Sequence, residues 1–414
     1  MRGNFKKIYV NNQKKFSKFS WLFFGNVIYA LSQYVLLITI AKLGQIEMVG
    51  QYGLALALTA PLLMFSNMNL RSIWISERKM KFDDFVGSRI IINSSLLGFF
   101  LILVFFLDYN EKTKTIILLV FCLKIIESFS DIYYAQLQKQ QMLESIGKSL
   151  ILKSIISVAL FSLSMIVWGN LILALLIQIF GFIVLFYIYE YRIVNINLNF
   201  KLFLKKKNFK LIIVKGFPLG VAGLLISLNV NIPRFFIEKF LDISLLGYFI
   251  AISYLLQSLN TFIASLSQFF LPLLSRKYDE DLSIFKDICW KIIIFMVGFS
   301  IIMISIFWFL GEEILLVVYD KSYMDYKNIL ILLSIAFSFN FLSTMLETIL
   351  NSMRKYVIQS KNVFISFVCV TIFSLFLLPS LGLEGAAYAI IISAVLRMSV
   401  NFVVFVRTIK LSNI

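Results

Sequence analysis

The chain has 414 residues, of which 60% are apolar and 15% are charged. Soluble domains contain roughly 45–50% apolar and about 25% charged residues, so a soluble fold of this length could not bury so much Phe, Ile and Leu. Histidine is absent, and Cys122, Cys289 and Cys369 each lie alone in an apolar stretch. We therefore expect a membrane protein with no metal site and no cofactor.

Long apolar segments recur along the whole chain and predict an all-α polytopic membrane protein with about twelve transmembrane helices. The first six spans are expected near 20–43, 47–68, 85–107, 115–136, 148–168 and 171–191. The second six are expected near 212–236, 243–274, 288–310, 326–349, 362–380 and 384–406. The 243–274 segment is long for one span, so we expect it to be tilted or to continue beyond the membrane.

The basic residues predict the orientation of these spans. If both termini are cytoplasmic, most of the 39 Lys and Arg residues fall in cytoplasmic segments. Six fall on the other side: Lys42, Lys112, Lys114, Lys239, Lys321 and Lys327. Three more fall within spans: Lys124, Arg234 and Arg397. The net charge of +17 is therefore the asymmetry of an oriented membrane protein and does not indicate nucleic-acid binding.

The most basic stretch, Lys201 to Lys215, divides the spans six and six. This division predicts two parallel repeats. The expected organisation is a cytoplasmic N-terminus (1–19), an N-terminal lobe (20–192), a basic linker (193–211), a C-terminal lobe (212–407) and a cytoplasmic C-terminus (408–414).

Span four carries Lys124, Glu127 and Asp131, whose spacing places them on one face of a helix. Charged residues at membrane depth cost about 2.5–3.5 kcal/mol, so each needs an explanation. Either Lys124 pairs with one of the acids and braces helix packing, or the face lines a hydrated cavity. In the second case Lys124 would meet an anionic substrate and an acid would bind a coupling cation.

Two further spans carry polar stripes. Span ten has Asn340, Thr344, Glu347 and Asn351, and span eight has Ser253, Gln257, Asn260 and Ser267. Such stripes either hold helices together or face water. Arg397, in the middle of span twelve, has no acid within one helical turn. It either pairs across the bundle with Glu347 or the span-four acids, or it binds an anion.

Other charged residues are given plainer interpretations. Arg71, Arg89 and Arg354 are expected to anchor cytoplasmic helix ends. The Asp279-Glu280-Asp281 run is expected in a loop of about a dozen residues, too short to be a nucleotide-binding domain. The sequence also lacks a phosphate-binding glycine loop followed by Lys and Ser or Thr. We therefore expect a protein that is not an enzyme.

Several motifs resemble those of a known family. The chain contains VGQYGLALAL at Val49 to Leu58, ESFSDIYYAQLQKQQ at Glu127 to Gln141, and a second half that opens with KGFPLGVAG at Lys215. Over essentially its whole length it is similar to the polysaccharide-transport family, the O-antigen and capsule repeat-unit flippases. This family belongs to the multidrug/oligosaccharidyl-lipid/polysaccharide exporter superfamily.

The resemblance implies two six-helix lobes around a central cavity that opens alternately to the two sides of a bacterial inner membrane. Such proteins move undecaprenyl-pyrophosphate-linked oligosaccharides to the outer leaflet for O-antigen (lipopolysaccharide), capsule or exopolysaccharide synthesis. The implied partners are this lipid-linked substrate, the bilayer, and a polysaccharide polymerase and chain-length regulator.

By position, Lys124 and Arg397, with Arg234 nearer the outer side, would contact the anionic substrate. Glu127, Asp131 and Glu347 are the acids available for ion coupling. The alternative is a cation-coupled drug antiporter of the same superfamily. Span one has no acid, unlike the drug and cation exporters, and this favours the anionic substrate. A membrane scaffold or polymerase is a third possibility.

Overall fold

The computed structural model describes residues 2–195, 205–355 and 357–411, and over these residues the chain is helical with no strand. The predicted linker 193–211 and C-terminus 408–414 lie partly outside the described residues. Each predicted span coincides with helix, because runs of about 20 apolar residues satisfy their backbone hydrogen bonds internally only as helices. The all-α architecture is confirmed for the described residues.

The helices of the first half are α1 (Arg2–Leu43), α2 (Ile46–Asn67), α3 (Leu70–Ser76), α4 (Phe82–Phe106), α5 (Glu111–Lys139), α6 (Leu143–Trp168) and α7 (Leu171–Leu185). A π-helical segment (Phe186–Tyr191) and α8 (Arg192–Asn195) continue α7. The second half contains α9 (Lys206–Phe240), α10 (Ile243–Glu280), α11 (Leu282–Val318), a 3₁₀ turn (Lys321–Tyr326), α12 (Lys327–Ser352) and α13 (Val357–Leu411).

Ten helices in the described part of the chain are long and apolar enough to cross a membrane. The charged helix α5 is not among the ten, and residues 361–410 count once although Gly382 interrupts their helical geometry (φ 58°, ψ −138°). The count of twelve spans therefore stays a prediction.

Side-chain caps set several helix ends where the sequence offers Asn or Asp. The Asn110 side chain accepts a hydrogen bond from the Thr113 N–H at 2.8 Å, and Asp242 accepts one from the Ser244 N–H at 2.6 Å. Each cap satisfies a donor that the first helical turn leaves unpaired. Asp281 caps α11 in the same way. It is the only residue between α10 and α11, so the predicted loop around Asp279-Glu280-Asp281 is wrong.

The long segment that begins at residue 243 is one continuous helix of 38 residues, α10. At 1.5 Å per residue it is roughly 57 Å long, well beyond the ~30 Å hydrocarbon thickness of a bilayer. A helix of this length fits both expected arrangements, one tilted in the membrane and one that continues beyond it, and both stay predictions.

The chain divides into two compact units. Unit 1 comprises Met1–Gly44 and Leu58–Leu224, and unit 2 comprises Gln45–Ala57 and Leu225–Ile414. Helices α2 and α9 therefore contribute to both units. The predicted boundaries instead place all of α2 in the lobe 20–192 and divide α9 between the linker 193–211 and the lobe 212–407. These boundaries stay a prediction.

Glycines permit close helix crossings inside each unit. In unit 1, a Cβ atom on Gly25 of α1 would lie 2.7 Å from the Cα atom of Gly147 in α6. In unit 2, a Cβ atom on Gly247 of α10 would lie 2.6 Å from the carbonyl oxygen of Ile46 in α2. Small residues of this kind let membrane helices gain van der Waals contact where no hydrophobic driving force exists.

Candidate functional site

Unit 2 contains a partly open cavity of about 340 Å³ whose wall combines apolar and polar side chains. Helices α9, α10, α12 and α13 all contribute to its wall. Its polar lining consists of Asn229, Arg234, Ser253, Gln257, Asn260, Asn340, Thr344, Glu347, Gln359, Ser366, Ser393 and Arg397. Polar groups at membrane depth require hydrogen-bonding partners, so a cavity with this lining is suited to water or a polar ligand.

The predicted stripes on spans eight and ten meet at this cavity. Ser253, Gln257 and Asn260 line it from α10, and Thr344 lines it from α12 together with Asn340 and Glu347. The last member of each stripe does not line it. The Ser267 hydroxyl donates to the carbonyl of Ile263 at 3.0 Å, and Asn351 accepts a hydrogen bond from Gln359 at 2.7 Å.

Arg397 and Glu347 form a bidentate ion pair in the cavity wall. Nε of Arg397 lies 2.8 Å from Oε1 of Glu347, and Nη2 lies 2.8 Å from Oε2. Asn401 donates to the same carboxylate at 3.1 Å. Of the two possibilities for Arg397, the structure shows pairing across the bundle with Glu347. The side chains are 24% and 16% exposed, so the pair is open to whatever occupies the cavity.

Arg234 lines the same cavity without an acid partner among the described residues. Its Nη1 donates to the Asn231 side chain at 3.0 Å, and its guanidinium lies 5.4 Å from the centre of the Tyr254 ring. A guanidinium has five N–H donors, and hydrogen bonds to neutral groups do not balance its charge. Arg234 is therefore the cation of this cavity whose charge no described acid balances, although the residue is only 6% exposed.

The span-four charges belong to unit 1 and are paired there. Nζ of Lys124 lies 2.9 Å from both carboxylate oxygens of Glu127, which also accepts a hydrogen bond from Tyr29 at 2.7 Å. Asp131 pairs instead with Arg71, at 3.1 Å. The sequence also predicts that these charges share one cavity with the polar residues of span ten. Span ten belongs to unit 2, so this shared cavity stays a prediction.

Comparisons with known proteins agree with this architecture. A family model described as "Polysaccharide biosynthesis protein" matches residues 16–278. The capsular polysaccharide biosynthesis protein CapF of Staphylococcus aureus is 32% identical over 380 residues, which cover 91% of this chain and 95% of CapF. The chain belongs to the polysaccharide biosynthesis protein family. The resemblance drawn from its motifs is confirmed.

Two solved structures show the fold of this family member. They are the inward-facing conformation of a multidrug resistance MATE transporter and the lipid II flippase MurJ in an inward closed conformation, each with a TM-score of 0.74. Both matches cover 92% of this chain, together with 94% of the MATE chain and 86% of MurJ. The identities are 12% and 15%, so they establish the fold alone. The chain is a multi-pass membrane protein with the MATE/MurJ transporter fold.

The sequence analysis did not single out a further, fully buried ion pair of this polysaccharide biosynthesis protein. In unit 1, Nζ of Lys153 lies 2.9 Å from Oε1 of Glu190, and the two side chains are 2% and 0% exposed. Tyr134 and Ser149 donate to the same oxygen at 2.7 and 2.6 Å. Lys153 lies inside predicted span 148–168 and Glu190 inside 171–191, so the rule that flagged Lys124 could have flagged both. The count of basic residues instead places Lys153 in a cytoplasmic segment.

Arg89 corrects another expectation. It is fully buried and does not anchor a helix end at a membrane surface. Its Nη1 donates to the carbonyl of Ser66 at 3.2 Å and to the Asn67 side chain at 3.0 Å, at the end of α2. Arg71 is likewise no simple anchor, because Asp131 and Gln138 hold it. The anchor interpretation still fits Arg354, which is exposed and pairs with Asp279 at 2.8 Å.

Proposed function

We propose that this protein is a flippase that moves lipid-linked oligosaccharide repeat units from the inner to the outer leaflet of the bacterial inner membrane. The observation that carries the proposal is a cavity with cationic and other polar side chains in its wall, inside a transporter-fold member of the polysaccharide biosynthesis family. The hydrophilic headgroup of such a substrate cannot cross hydrocarbon, so it needs a hydrated, charge-complementary path while its lipid tail stays in the bilayer.

Relatives support this substrate class. CapF is named for capsular polysaccharide biosynthesis, and MurJ is named as a flippase of lipid II. The proposed carrier lipid is undecaprenyl pyrophosphate, and the glycan serves O-antigen, capsule or exopolysaccharide synthesis. Transport proceeds by alternating access with both termini cytoplasmic. The protein works as a transporter and not as an enzyme, beside a polymerase and a chain-length regulator.

The ion pairs suggest how substrate and ion coupling are linked. Lys124 and Arg397 each hold an internal carboxylate, from Glu127 and Glu347 respectively. An anionic substrate group therefore competes with these acids for the same cations. Protonation of an acid would release its cation to the substrate, which makes the two glutamates the coupling groups of the cycle. Arg234 needs no such exchange.

The charge of the unit 2 cavity disfavours the drug-antiporter alternative. Two guanidinium groups and one carboxylate line it, and the carboxylate is already engaged by Arg397. A cationic drug would meet net positive charge there, whereas an anionic headgroup would be attracted.

The deciding experiment is transport by the purified protein in liposomes. Labelled polyprenyl-pyrophosphate saccharide would be placed in one leaflet, and its appearance in the other measured with a membrane-impermeant reagent. We expect translocation by the wild-type protein and a large loss for Arg234→Gln. Lys291→Gln, a change of an exposed lysine on α11, is the matched control. Wild-type liposomes that move no lipid-linked saccharide faster than empty liposomes would rule out the proposed function.

A further inference from the structure

The cavity of unit 2 is unusually rich in carboxamides. Asn229, Gln257, Asn260 and Asn340 line it, and their side chains make no hydrogen bond to any described residue. A carboxamide carries two donors and an acceptor oxygen with two lone pairs. The cavity wall therefore presents several neutral hydrogen-bonding groups whose partners must come from its contents. Gln359, the fifth carboxamide, already donates to Asn351 at 2.7 Å.

The charge of the cavity limits what those contents are. Arg397 is paired with Glu347, so the remaining unpaired charge in the cavity wall is the single guanidinium of Arg234. A pyrophosphate with two or more negative charges would be poorly balanced there, and excess charge at membrane depth is costly. A largely neutral group with at most one negative charge fits the lining better.

We propose that this cavity is a saccharide subsite, an inference that rests on the proposed flippase function. The free carboxamides hydrogen-bond the hydroxyl and amide groups of a sugar next to the carrier lipid. Arg234 binds one anionic group, which is either a sugar carboxylate or the nearest phosphate. The volume of about 340 Å³ lies at the lower end of the ~300–1,000 Å³ typical of ligand pockets, so the subsite holds a small part of a repeat unit.

Sugar recognition by carboxamides has a clear physical basis. A sugar hydroxyl both donates and accepts, and a carboxamide can do the same without adding charge to the membrane interior. Each such bond contributes modestly, but an unpaired polar group left in the complex is penalised. The carboxamides thus favour a sugar-bearing lipid over the same lipid without its sugar.

The test is a binding experiment with the full-length protein in nanodiscs. The probes are a short-chain prenyl pyrophosphate that carries N-acetylglucosamine and the same prenyl pyrophosphate without sugar, with affinities measured by calorimetry. We expect the wild-type protein to bind the sugar-bearing lipid more tightly. The double variant Gln257→Leu/Asn340→Leu should lose about tenfold in affinity for the sugar-bearing lipid and almost nothing for the bare lipid.

Gln268→Leu is the matched control, since Gln268 is an exposed carboxamide further along α10 and does not line this cavity. Its affinities should equal those of the wild-type protein. Thermal unfolding of every variant shows whether the fold is intact. If the wild type binds both lipids equally, or if a folded double variant keeps its preference for the sugar, the subsite is wrong.

A third probe, with a hexuronic acid in place of the neutral sugar, separates the two anions proposed for Arg234. Arg234→Gln should weaken only the uronic acid lipid if Arg234 binds a sugar carboxylate. It should weaken all three pyrophosphate lipids alike if Arg234 binds the nearest phosphate. An unchanged affinity for all three would remove Arg234 from the subsite. Sugar-dependent binding without transport in liposomes would reject the flippase function and leave the subsite standing.

Discussion

Two ion pairs, each between a basic residue and a glutamate, differ in how far they are buried in the two units. Lys153 and Glu190 are sealed in unit 1 at 2% and 0% exposure, whereas Arg397 and Glu347 line an open cavity in unit 2 at 24% and 16%. No ligand can reach a sealed pair to replace one of its members, so the role of such a pair is to fix the packing of its helices. A pair on a cavity wall can exchange a partner for a ligand or a proton, so it can take part in transport.

The largest expected effect comes from breaking the sealed pair. Lys153→Met leaves Glu190 buried with no cation, and removal of one partner of a buried pair costs about 3–5 kcal/mol. We expect much less protein in the membrane and a clearly lower unfolding temperature for the purified variant in detergent.

The double variant Lys153→Met/Glu190→Gln tests the cause of that loss. It removes both charges, and the carboxamide oxygen of Gln can still accept hydrogen bonds from the Tyr134 and Ser149 hydroxyls. Most of the lost stability should return, since replacing a buried pair by neutral groups is often nearly neutral. A single variant as stable as the wild type would contradict the assignment of this pair to packing.

The next effect, from the open pair, should appear in transport and not in stability. Arg397→Ala leaves Glu347 in a cavity where water can reach it, so we expect about 1 kcal/mol of destabilisation or less, as for partly exposed pairs. Translocation of the lipid-linked saccharide should fall at least about tenfold. Arg354→Ala serves as the control, because Arg354 also pairs with an acid, Asp279, but is exposed and does not line the cavity. Full transport by Arg397→Ala would show that the open pair takes no more part in transport than the sealed pair.

The polar stripes could be predicted from sequence, but the pairing of the charges could not. Gln257 and Asn260 follow helical spacing within one span, so the stripe can be predicted from local sequence without knowing which distant residues it faces. The partner of Arg397 lies 50 residues away on another helix, so local spacing could leave only alternatives open. Composition predicted the all-α class, because a bilayer permits few solutions to backbone hydrogen bonding, whereas the arrangement of the helices was implied only by the family resemblance.

The break between α2 and α3 shows a second kind of limit. Met68 and Asn69 adopt left-handed φ values of 45° and 46°. Asn tolerates this region better than most residues but Met does not, and no glycine marks the break. This break sets the start of α3, the seven-residue helix that carries Arg71. Asp131 pairs with Arg71 instead of Lys124. Its partner therefore depends on a backbone feature that the sequence did not signal.

A smaller loss of transport is expected from Lys124→Ala. Lys124 and Glu127 are 23% and 22% exposed, close to the values of the Arg397 pair, so we expect them to behave like that pair. We expect normal membrane abundance and a several-fold lower translocation rate in the liposome assay. Glu127 keeps its hydrogen bond from Tyr29, which limits the structural damage. If Lys124→Ala and Arg397→Ala both transport at the full rate, recognition of the substrate by these two cations is wrong.

The smallest effect should come from the ion pair of Glu77, an acid that lies just outside the spans, with Lys215. The Lys215 ammonium, 2.7 Å away, and the backbone N–H groups of Lys79 and Arg78 lower the pKa of this carboxyl from 4.5 to about 2, against the opposing effect of burial. A lowered pKa means that the ionised carboxylate stabilises the fold above pH 4.5 and that this contribution disappears as the pH falls towards 2. Lys215 is 44% exposed, so solvent limits the contribution to about 1 kcal/mol. The Glu77→Gln variant should therefore have a slightly lower unfolding temperature than the wild type at pH 7. Near pH 2 the two unfolding temperatures should be the same. A difference that persists at the acid end would mean that the substitution acts through packing and not through charge.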